Sequence, residues 1–299
     1  MNCCRSPKNS AEFTKYYQLR WKMLREPWQQ PVGSEKDDLE EQSYHRMIIN
    51  SKDEVLAVGR LERNGQHQGK IRYMAVSETT SGQGLGRQLV VELEALAQQL
   101  GITQIVLEAR EKAVGFYEKL GYLQVNKSHL LFNEIQHFTM QKSLSAHDNH
   151  HAELVNELQN TWHDTIPMSK AMNIEISYYD KAKLITHCDP AFNKNLHQTM
   201  FAGSIYTLAT LTGWGWVYLQ LKQAELEGDI VLANADIKYR APIKGTAHCQ
   251  LDFEEVIGEL TSLKEGKKAK MQVMANLYSG DKVAATFHGQ FAVLPKKSS

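Results

Sequence analysis

Three glycines at alternate positions, Gly82, Gly84 and Gly86, are the residues whose spacing most clearly predicts chemistry. Alternating side chains over residues 70–76 favour a strand before them, and leucines at helical spacing over residues 85–96 favour a helix after them. Glycine permits positive φ and a close approach of the backbone to a ligand. The first turn of a helix adds N–H groups without intrahelical partners and the positive end of the helix dipole. Strand, glycine turn and helix together predict a binding site for a pyrophosphate.

Two other phosphate-binding patterns fit this loop less well. A dinucleotide-binding fingerprint has the spacing G-x-G-x-x-G and an acidic residue about 20 residues further on, whereas the spacing here is G-x-G-x-G. The Lys-Ser/Thr pair of a P-loop does not follow the glycines either. A glycine turn with a purely structural role is the remaining alternative.

The loop resembles motif A of the GNAT superfamily of acyl-CoA N-acyltransferases, in which a strand ending in a short aliphatic run leads into R/Q-x-x-G-x-G/A at a helix start. Here the aliphatic run is Met74-Ala75-Val76, and Ser81 stands in place of the usual Arg or Gln. A second segment, A-x-x-F-Y-x-x-x-G-Y between Ala113 and Tyr122, is similar to motif B of the same family. The two motifs in this order cover about residues 55–125.

This resemblance implies that acetyl-CoA or another acyl-CoA is a substrate and that no metal is needed. The residues implied in its binding are Met74, Ala75, Val76, Ser81, Gly82, Gln83, Gly84, Leu85, Gly86, Arg87, Gln88 and Phe116. An N–H of the strand edge, that of Val76, would polarise the thioester carbonyl. Tyr117 would protonate the departing thiolate, and a core aromatic is its alternative interpretation. The general base is not evident, with His45, Glu78 and Glu108 as candidates.

The amine acceptor is implied to lie between an N-terminal helix, predicted over residues 12–30, and two predicted strands, residues 44–49 and 55–61. Acceptor choice is therefore expected to depend on residues 20–61. The acidic loop at residues 35–41 would suit a cationic amine, with a solvated surface loop as the alternative.

The composition is that of a globular chain with room for two domains. There are 299 residues, 34 of them basic and 34 acidic, and 42% are apolar. A formal net charge of zero gives no support for nucleic acid or an anionic membrane as a partner. The polar N-terminus is unlike a signal peptide, and the four cysteines lack metal-binding spacing. We therefore expect a cytoplasmic protein with reduced cysteines and no metal, although the adjacent Cys3 and Cys4 leave lipidation as an alternative.

A polar stretch with three histidines marks the predicted boundary between domains 1–142 and 153–299, with residues 143–152 as linker. A metal site is the alternative interpretation of these histidines. Beyond it, residues 203–221 form a long run that is apolar on nearly all sides, as in a helix buried inside a sheet. Alternating strand patterns follow it over residues 230–239, 245–257, 268–278 and 283–294. We expect a two-domain protein of class α+β/α/β: a GNAT fold, with a mixed twisted sheet and flanking helices, followed by a hot-dog fold, with an antiparallel sheet around a long central helix.

The second half resembles hot-dog thioesterases, and in particular a family found behind GNAT domains in bacteria. The resemblance is carried by Asn193-x-x-x-His197-x-Thr-Met-Phe-x-Gly-Ser and by a strand from Asp236 that ends in Pro-x-x-Gly. It implies hydrolysis of an acyl-CoA or acyl-carrier-protein thioester, with Asn193, Asn195 or His197 positioning water and Asp236 as the acid. Structural roles for His197 and Asp236 are the alternative.

The resemblance also implies a homodimer or a larger assembly. An acyl tunnel along Ile205, Leu208, Leu211 and Trp214 would suit a fatty chain, with plain core residues as the alternative interpretation. Because Ala209-Thr210 occupies the usual place of the catalytic acid, a non-catalytic module for acyl binding or dimerisation is the alternative.

Overall fold

The computed structural model of the protein describes residues 2–65, 67–132, 134–144 and 151–296. The chain divides into two compact units, Met1–Ala146 and His147–Ser299. Most of the predicted linker, with two of its three histidines, lies outside the described residues. Within the described ranges, no group of side chains could hold a metal ion. No helix in these ranges is long and apolar enough to cross a membrane.

The first unit is built on a seven-stranded sheet in the order β1-β2-β3-β4-β5-β7-β6, in which only the β4–β5 pair is parallel. Its elements are β1 (Cys3–Arg5), α1 (Ser10–Leu24), β2 (Tyr44–Ile49), β3 (Val55–Arg63), β4 (Gln68–Val76), α2 (Leu85–Gln99), β5 (Gln104–Arg110), α3 (Val114–Glu118), β6 (Leu123–Leu131) and β7 (Ile135–Ser143). The first helix is shorter than predicted because Pro27 lies in a separate 3-10 turn, Glu26–Trp28.

The two long helices of this unit pack on opposite faces of the sheet. The leucines of α2 share one apolar cluster with Ala57 of β3, whereas Tyr16 of α1 shares another with the neighbouring Val58. Successive residues of a strand point to opposite faces, so the sheet separates the two clusters. The predicted GNAT fold, a mixed sheet with flanking helices, is confirmed.

A bulge in β4 changes which of its residues face each helix. Tyr73 has φ of 55°, and the pairing of β3 with β4 shifts opposite it. Before the bulge Ile71 belongs to the α2 cluster, and after it Ala75 belongs to the α1 cluster. The strict alternation predicted for residues 71–76 is therefore wrong, because one extra residue reverses the faces of a strand.

The second unit is an antiparallel sheet in the order β10-β14-β13-β11-β9-β8, with β12 beside β13, and a central helix packed against it. Its elements are α4 (Ala152–Thr165), α5 (Pro167–Ala171), β8 (Glu175–Tyr179), β9 (Lys183–His187), α6 (Ala202–Gln223), β10 (Asp229–Tyr239), β11 (His248–Asp252), β12 (Val256–Glu259), β13 (Ala269–Ser279) and β14 (Lys282–Leu294). The predicted hot-dog fold is confirmed. The strand expected over residues 245–257 is interrupted by a 3-10 turn, Phe253–Glu255.

Helix α6 has 22 residues, half of which are buried. A Cβ on Gly213 would lie 2.9 Å from the ring of Phe291 on the sheet, and a Cβ on Gly215 would collide with Trp162 of α4. The two glycines therefore let the sheet and α4 approach the helix backbone on both sides. This close packing explains why glycines occur in the middle of a helix, where they otherwise reduce stability.

Candidate functional site

The glycine loop and the start of α2 form one wall of a cavity of about 440 Å³. Residues that line it are Met74, Val76, Thr80, Ser81, Gly82, Gly84, Leu85, Gly86, Arg87, Ala113, Phe116 and Tyr117. Gly82 and Gly84 have φ of 78° and 80°, values that favour glycine. Three of the residues predicted for the ligand, Ala75, Gln83 and Gln88, do not line this cavity.

The start of α2 leaves backbone donors for an anion. Gly84 is the N-cap residue and no side chain caps the helix, so the N–H groups of Leu85, Gly86 and Arg87 lack intrahelical partners. The expectation that Gln88 contributes its N–H is wrong, because this N–H donates to the carbonyl of Gly84 at 3.0 Å. The anion site is thus limited to the loop and the first three residues of the helix.

We expect Gly84→Ala to raise the KM for acetyl-CoA about tenfold while kcat changes little. A side chain at φ of 80° strains the loop that presents the N–H groups, and about 1.4 kcal/mol corresponds to a factor of ten. The matched control is Gly65→Ala, which has φ of 105°, equally open space around its Cβ, and a position outside the cavity. Initial rates at varied acetyl-CoA check this; an equal rise of KM in both variants would contradict the assignment.

The edge of β4 is open beside this cavity. The β4–β5 ladder ends at the pair Ile71 and Leu107, so the later residues of β4 have no strand on that side. On the other side, the N–H of Ser77 donates to the carbonyl of Leu56 at 2.8 Å. Since neighbouring residues of an antiparallel strand direct their N–H groups to opposite edges, the N–H of Val76 points to the open edge.

Tyr117 lies where two cavities meet. The second cavity, also about 440 Å³, shares Met74, Val76, Ala113 and Tyr117 with the first. Its other lining residues are Met23, Leu24, Arg25, Lys70, Ile71, Arg72, Tyr73, Ala75, Leu107, Glu108, Ala109, Arg110, Lys112, His129, Leu131 and His137. Tyr117 is 7% exposed, burial raises its pKa above the usual range, and its hydroxyl has no hydrogen-bond partner among the described residues. A neutral phenol therefore faces both cavities.

Residues 20–61, on which acceptor choice was expected to depend, form only a small part of the wall of the second cavity. Only the end of α1, Met23, Leu24 and Arg25, comes from that range, and the remaining wall comes from β4 to β7. Sequence reasoning missed the contribution of β6 and β7, because neither strand carries a motif and their position depends on pairing β7 with β5.

The acidic loop pairs with arginines of the same unit and does not form a free cation site. Asp37 and Glu40 both accept hydrogen bonds from the buried Arg60, at 2.7 Å each, and Glu40 also pairs with the buried Arg20. Glu62 completes the group at 2.5 Å from Arg60. Burial raises the pKa of Asp37, but Arg60 outweighs this effect and holds that pKa well below its usual range. Neither a solvated loop nor a site for a cationic amine describes these residues.

Tyr73 connects this charged group to the second cavity. Its hydroxyl donates to Asp37 at 3.0 Å, and the guanidinium carbon of Arg20 lies 3.6 Å from its ring centroid. A cation against an aromatic face is a stabilising contact. It offsets part of the cost of the left-handed conformation at the bulge, which is unusual for an aromatic residue.

Of the predicted candidates for the general base, only Glu108 lines the second cavity; His45 and Glu78 line neither cavity. Glu108 is engaged by Thr139, at 3.1 Å, and by Lys70, at 3.7 Å. Its oxygens are therefore held by partners of the same sheet.

A histidine that sequence reasoning missed also faces this cavity. His137 is 6% exposed, stacks on His129 with ring centroids 4.7 Å apart, and has Nδ1 3.0 Å from the carbonyl of Ile135. Burial lowers its pKa, with a smaller contribution from the charges of His129 and Arg110. A neutral ring donates from Nδ1 to that carbonyl and keeps Nε2 as an acceptor.

In the second unit, Asn193 holds the loop before α6. Its Nδ2 donates to the carbonyls of Met172, at 3.0 Å, and Asp189, at 2.7 Å, whereas its buried Oδ1 has no partner among the described residues. Its carbonyl accepts from the N–H of Phe201 at 2.7 Å. His197, in the same loop, is exposed to solvent. The structure thus brings Asn193 and His197 to one loop at the start of α6.

Asp236 lies on the opposite face of the sheet from α6. In β10, Ile230 and Leu232 pack on the core, but an irregularity between Leu232 and Asn234 follows, after which Ala235 and Ile237 pack there. Asp236 is exposed and lines a cavity of about 410 Å³ on the outer face. The bulge thus turns the side chain of Asp236 away from the core that packs on α6, and its role as the acid stays a prediction.

The residues expected to form an acyl tunnel are core residues. Ile205, Leu208 and Leu211 of α6 are buried in the apolar cluster of the second unit, and Trp214 packs against it and donates to the carbonyl of Ile230 at 3.3 Å.

Comparisons with known proteins match the two halves of the chain to two different families. The family described as "Acetyltransferase (GNAT) domain" matches residues 26–144, and the family described as "Putative thioesterase (yiiD_Cterm)" matches residues 155–295. The uncharacterized protein YyaT of Bacillus subtilis (strain 168) is 31% identical over 37% of this chain and 73% of its own length. The uncharacterized N-acetyltransferase YjcF of the same strain is 26% identical over 45% of this chain and 95% of its own. The crystal structure of a protein from Shewanella oneidensis, described as "putative thioesterase", is 41% identical over 48% of this chain and 99% of that chain, with a TM-score of 0.46.

Proposed function

Because the chain belongs to the acetyltransferase (GNAT) family and to the family of the yiiD_Cterm domain, we propose that both halves act on acyl thioesters in the cytoplasm. The first half transfers an acetyl or other acyl group from acyl-CoA to an amine. The second half hydrolyses an acyl-CoA or acyl-carrier-protein thioester. The observation that supports the transfer reaction is the junction of two cavities at Val76 and Tyr117.

In the proposed transfer, the N–H groups of the glycine loop bind the pyrophosphate, and the pantetheine arm follows the open edge of β4. The N–H of Val76 then donates to the thioester oxygen as negative charge develops on it. An amine in the second cavity attacks the carbonyl carbon, the C–S bond breaks, and Tyr117 protonates the departing sulfur. His137 accepts the proton of the amine, because its Nε2 is available whereas the oxygens of Glu108 are engaged. Incubation with acetyl-CoA and a panel of amines tests this proposal: an acetylated amine must form together with free CoA.

For the second half, the start of α6 supports a site for a thioester carbonyl. No side chain caps this helix, so its first N–H groups and dipole can polarise an oxygen. Asn193 and His197 lie in the loop that precedes it. A non-catalytic acyl-binding or dimerisation module is the second candidate, and it is favoured by the outward position of Asp236 and by the buried tunnel residues.

We expect the full-length protein to release thiol from acyl-CoAs in amine-free buffer with a preference for one chain length, and His197→Ala to lower that rate at least about tenfold. Loss of a group that positions or deprotonates water has an effect of this size or larger. Lys194→Ala is the matched control, since Lys194 is exposed in the same loop. Asn193→Ala should abolish release, and its Tm shows whether the loop still folds. Acyl-CoA binding without release in any variant would favour the module.

The second half also has surfaces suited to the expected homodimer. Strand β10 is an edge strand of 11 residues, and edge strands present unpaired backbone groups. Large apolar side chains are exposed on this strand and in the loop before α6: Val231 at 47%, Phe192 at 78% and Leu196 at 85%. Pairing of two copies would cover such residues.

A further inference from the structure

The second cavity of the first unit carries more positive than negative charge. Five cationic side chains line it, those of Arg25, Lys70, Arg72, Arg110 and Lys112, against the single carboxylate of Glu108. An ordinary amine acceptor would gain nothing from such a lining, because its protonated form is itself a cation.

Two of these cations are already neutralised by the protein. Lys70 lies 3.7 Å from Glu108, and Arg72 lies 3.3 Å from Asp37 and 3.6 Å from Glu62. Their charge is therefore compensated within the sheet, and they contribute little to the net charge of the cavity.

Arg110 and Arg25 differ from them. Arg110, at the end of β5, is half-buried and has no hydrogen bond or ion pair among the described residues. Arg25, just after α1, donates from Nε to the carbonyl of Ser34 at 2.9 Å and from one terminal nitrogen to the carbonyl of Leu24, but to no carboxylate of the described residues. Burial lowers the pKa of both groups, and the charge of Arg25 lowers that of Arg110 further.

Aromatic rings fix the position of one of these guanidinium groups. The guanidinium carbon of Arg25 lies 5.7 Å from the ring centroid of Tyr73 and 5.6 Å from that of Phe132. A guanidinium held in place loses little freedom on binding a ligand. Neither guanidinium is hydrogen-bonded to a carboxylate of the described residues, although the charge of Glu35 acts on Arg25. The two groups repel each other, and a bound anion would replace this repulsion by charge-assisted hydrogen bonds.

We propose that the acceptor is an amine that also carries a small anionic group, a carboxylate or a phosphate, which the guanidinium groups of Arg25 and Arg110 bind in the second cavity. This inference rests on the proposed transfer of an acyl group to an amine. This acceptor differs from the purely cationic amine that the acidic loop alone would suit.

The test compares matched acceptors with the full-length protein. We expect amino acids to be acetylated with a higher kcat/KM than their α-amides if the anion is a carboxylate, and O-phosphoethanolamine above ethanolamine if it is a phosphate. Arg110→Gln should raise KM and so lower kcat/KM for the anionic acceptor about 10- to 100-fold, the range for a lost charged hydrogen bond. The value of kcat/KM for the neutral analogue should change far less. Lys119→Gln, which removes an exposed charge outside the cavity, is the matched control.

A binding measurement separates failure of this inference from failure of the transfer proposal. Succinate and inorganic phosphate serve as probes, and one of them should raise the Tm of the wild-type protein but not that of Arg110→Gln. Equal acetylation of neutral and anionic acceptors, unchanged by Arg110→Gln, would overturn the anion site and leave the transfer standing. A Tm response that depends on Arg110, without acetylation of any amine, would support the anion site and overturn the transfer. If no amine is acetylated and no probe gives a Tm response that depends on Arg110, both proposals are overturned.

Discussion

Tyr117→Phe is expected to lower kcat for acetyl transfer about a hundredfold, the lower end of what a general acid contributes, with little change in the KM for acetyl-CoA. The phenol is buried, stays protonated because burial raises its pKa, and lies where the two cavities meet. Phenylalanine keeps the ring that packs against Phe116 and Tyr122 and removes only the proton donor. Steady-state kinetics at saturating acetyl-CoA measure the effect.

The pH dependence gives this prediction a second readout. A free thiol has a pKa of about 8.5, so the departing CoA sulfur depends less on a proton donor as the pH rises above that value. The loss of kcat caused by Tyr117→Phe should therefore become smaller at high pH. Tyr122→Phe is the control, since Tyr122 is equally buried but lines neither cavity. A kcat unchanged in Tyr117→Phe would show that Tyr117 is a packing residue.

The parts of the site that sequence predicted are those set by local backbone chemistry. The glycines at positions 82 and 84 adopt the positive φ that their type allows, and α2 begins directly after them. Ile71 and Leu89 are buried, as the strand and helix periodicity of the sequence predicts. The long apolar run was also predicted correctly as a helix, α6, because a helix without a polar face needs partners on all sides.

Two bulges account for most of what sequence could not show. The one at Tyr73 reverses the faces of β4, and the one between Leu232 and Asn234 reverses those of β10 and turns Asp236 away from α6. Each depends on the partner strand: Gly59 stands opposite the first, and a Cβ there would lie 2.6 Å from the sulfur of Met74. A period-two pattern read along one strand contains no signal for an extra residue in a pair.

The ion pairs of the acidic loop could not be predicted from the sequence either. Asp37 and Arg60 are 23 residues apart in sequence, and only the folded sheet brings Asp37 to 2.7 Å from that guanidinium. The same holds for Arg25 and Arg110, which reach one cavity from the end of α1 and the end of β5. In this unit one set of arginines is neutralised by the acidic loop, and a second set remains for a ligand.

Arg60→Met is expected to destabilise the first unit by about 3–5 kcal/mol, the cost of removing one partner from a buried ion pair. The Arg60 side chain is 0% exposed and binds Asp37, Glu40 and Glu62. Without it, the three carboxylates keep only Arg20 and the more exposed Arg72 as arginine partners among the described residues, in a partly buried site. Calorimetry of the full-length protein should show a lower transition for the first unit and an unchanged one for the second.

The pH dependence of this loss has a definite sign. In the wild-type protein the folded pKa of Asp37 lies below its unfolded value of about 3.9, so its contribution to stability is present above that pH and is lost as the pH falls further. In Arg60→Met, burial would raise the folded pKa of Asp37 instead, because Arg60 no longer opposes it. The loss of stability in the variant should therefore be largest at neutral pH and shrink on acidification, as Asp37 becomes neutral. Arg5→Met, which breaks a more exposed pair with Glu12 in the same unit, should cost far less. A variant as stable as wild type at neutral pH would show that the acidic loop is held by packing and not by these charges.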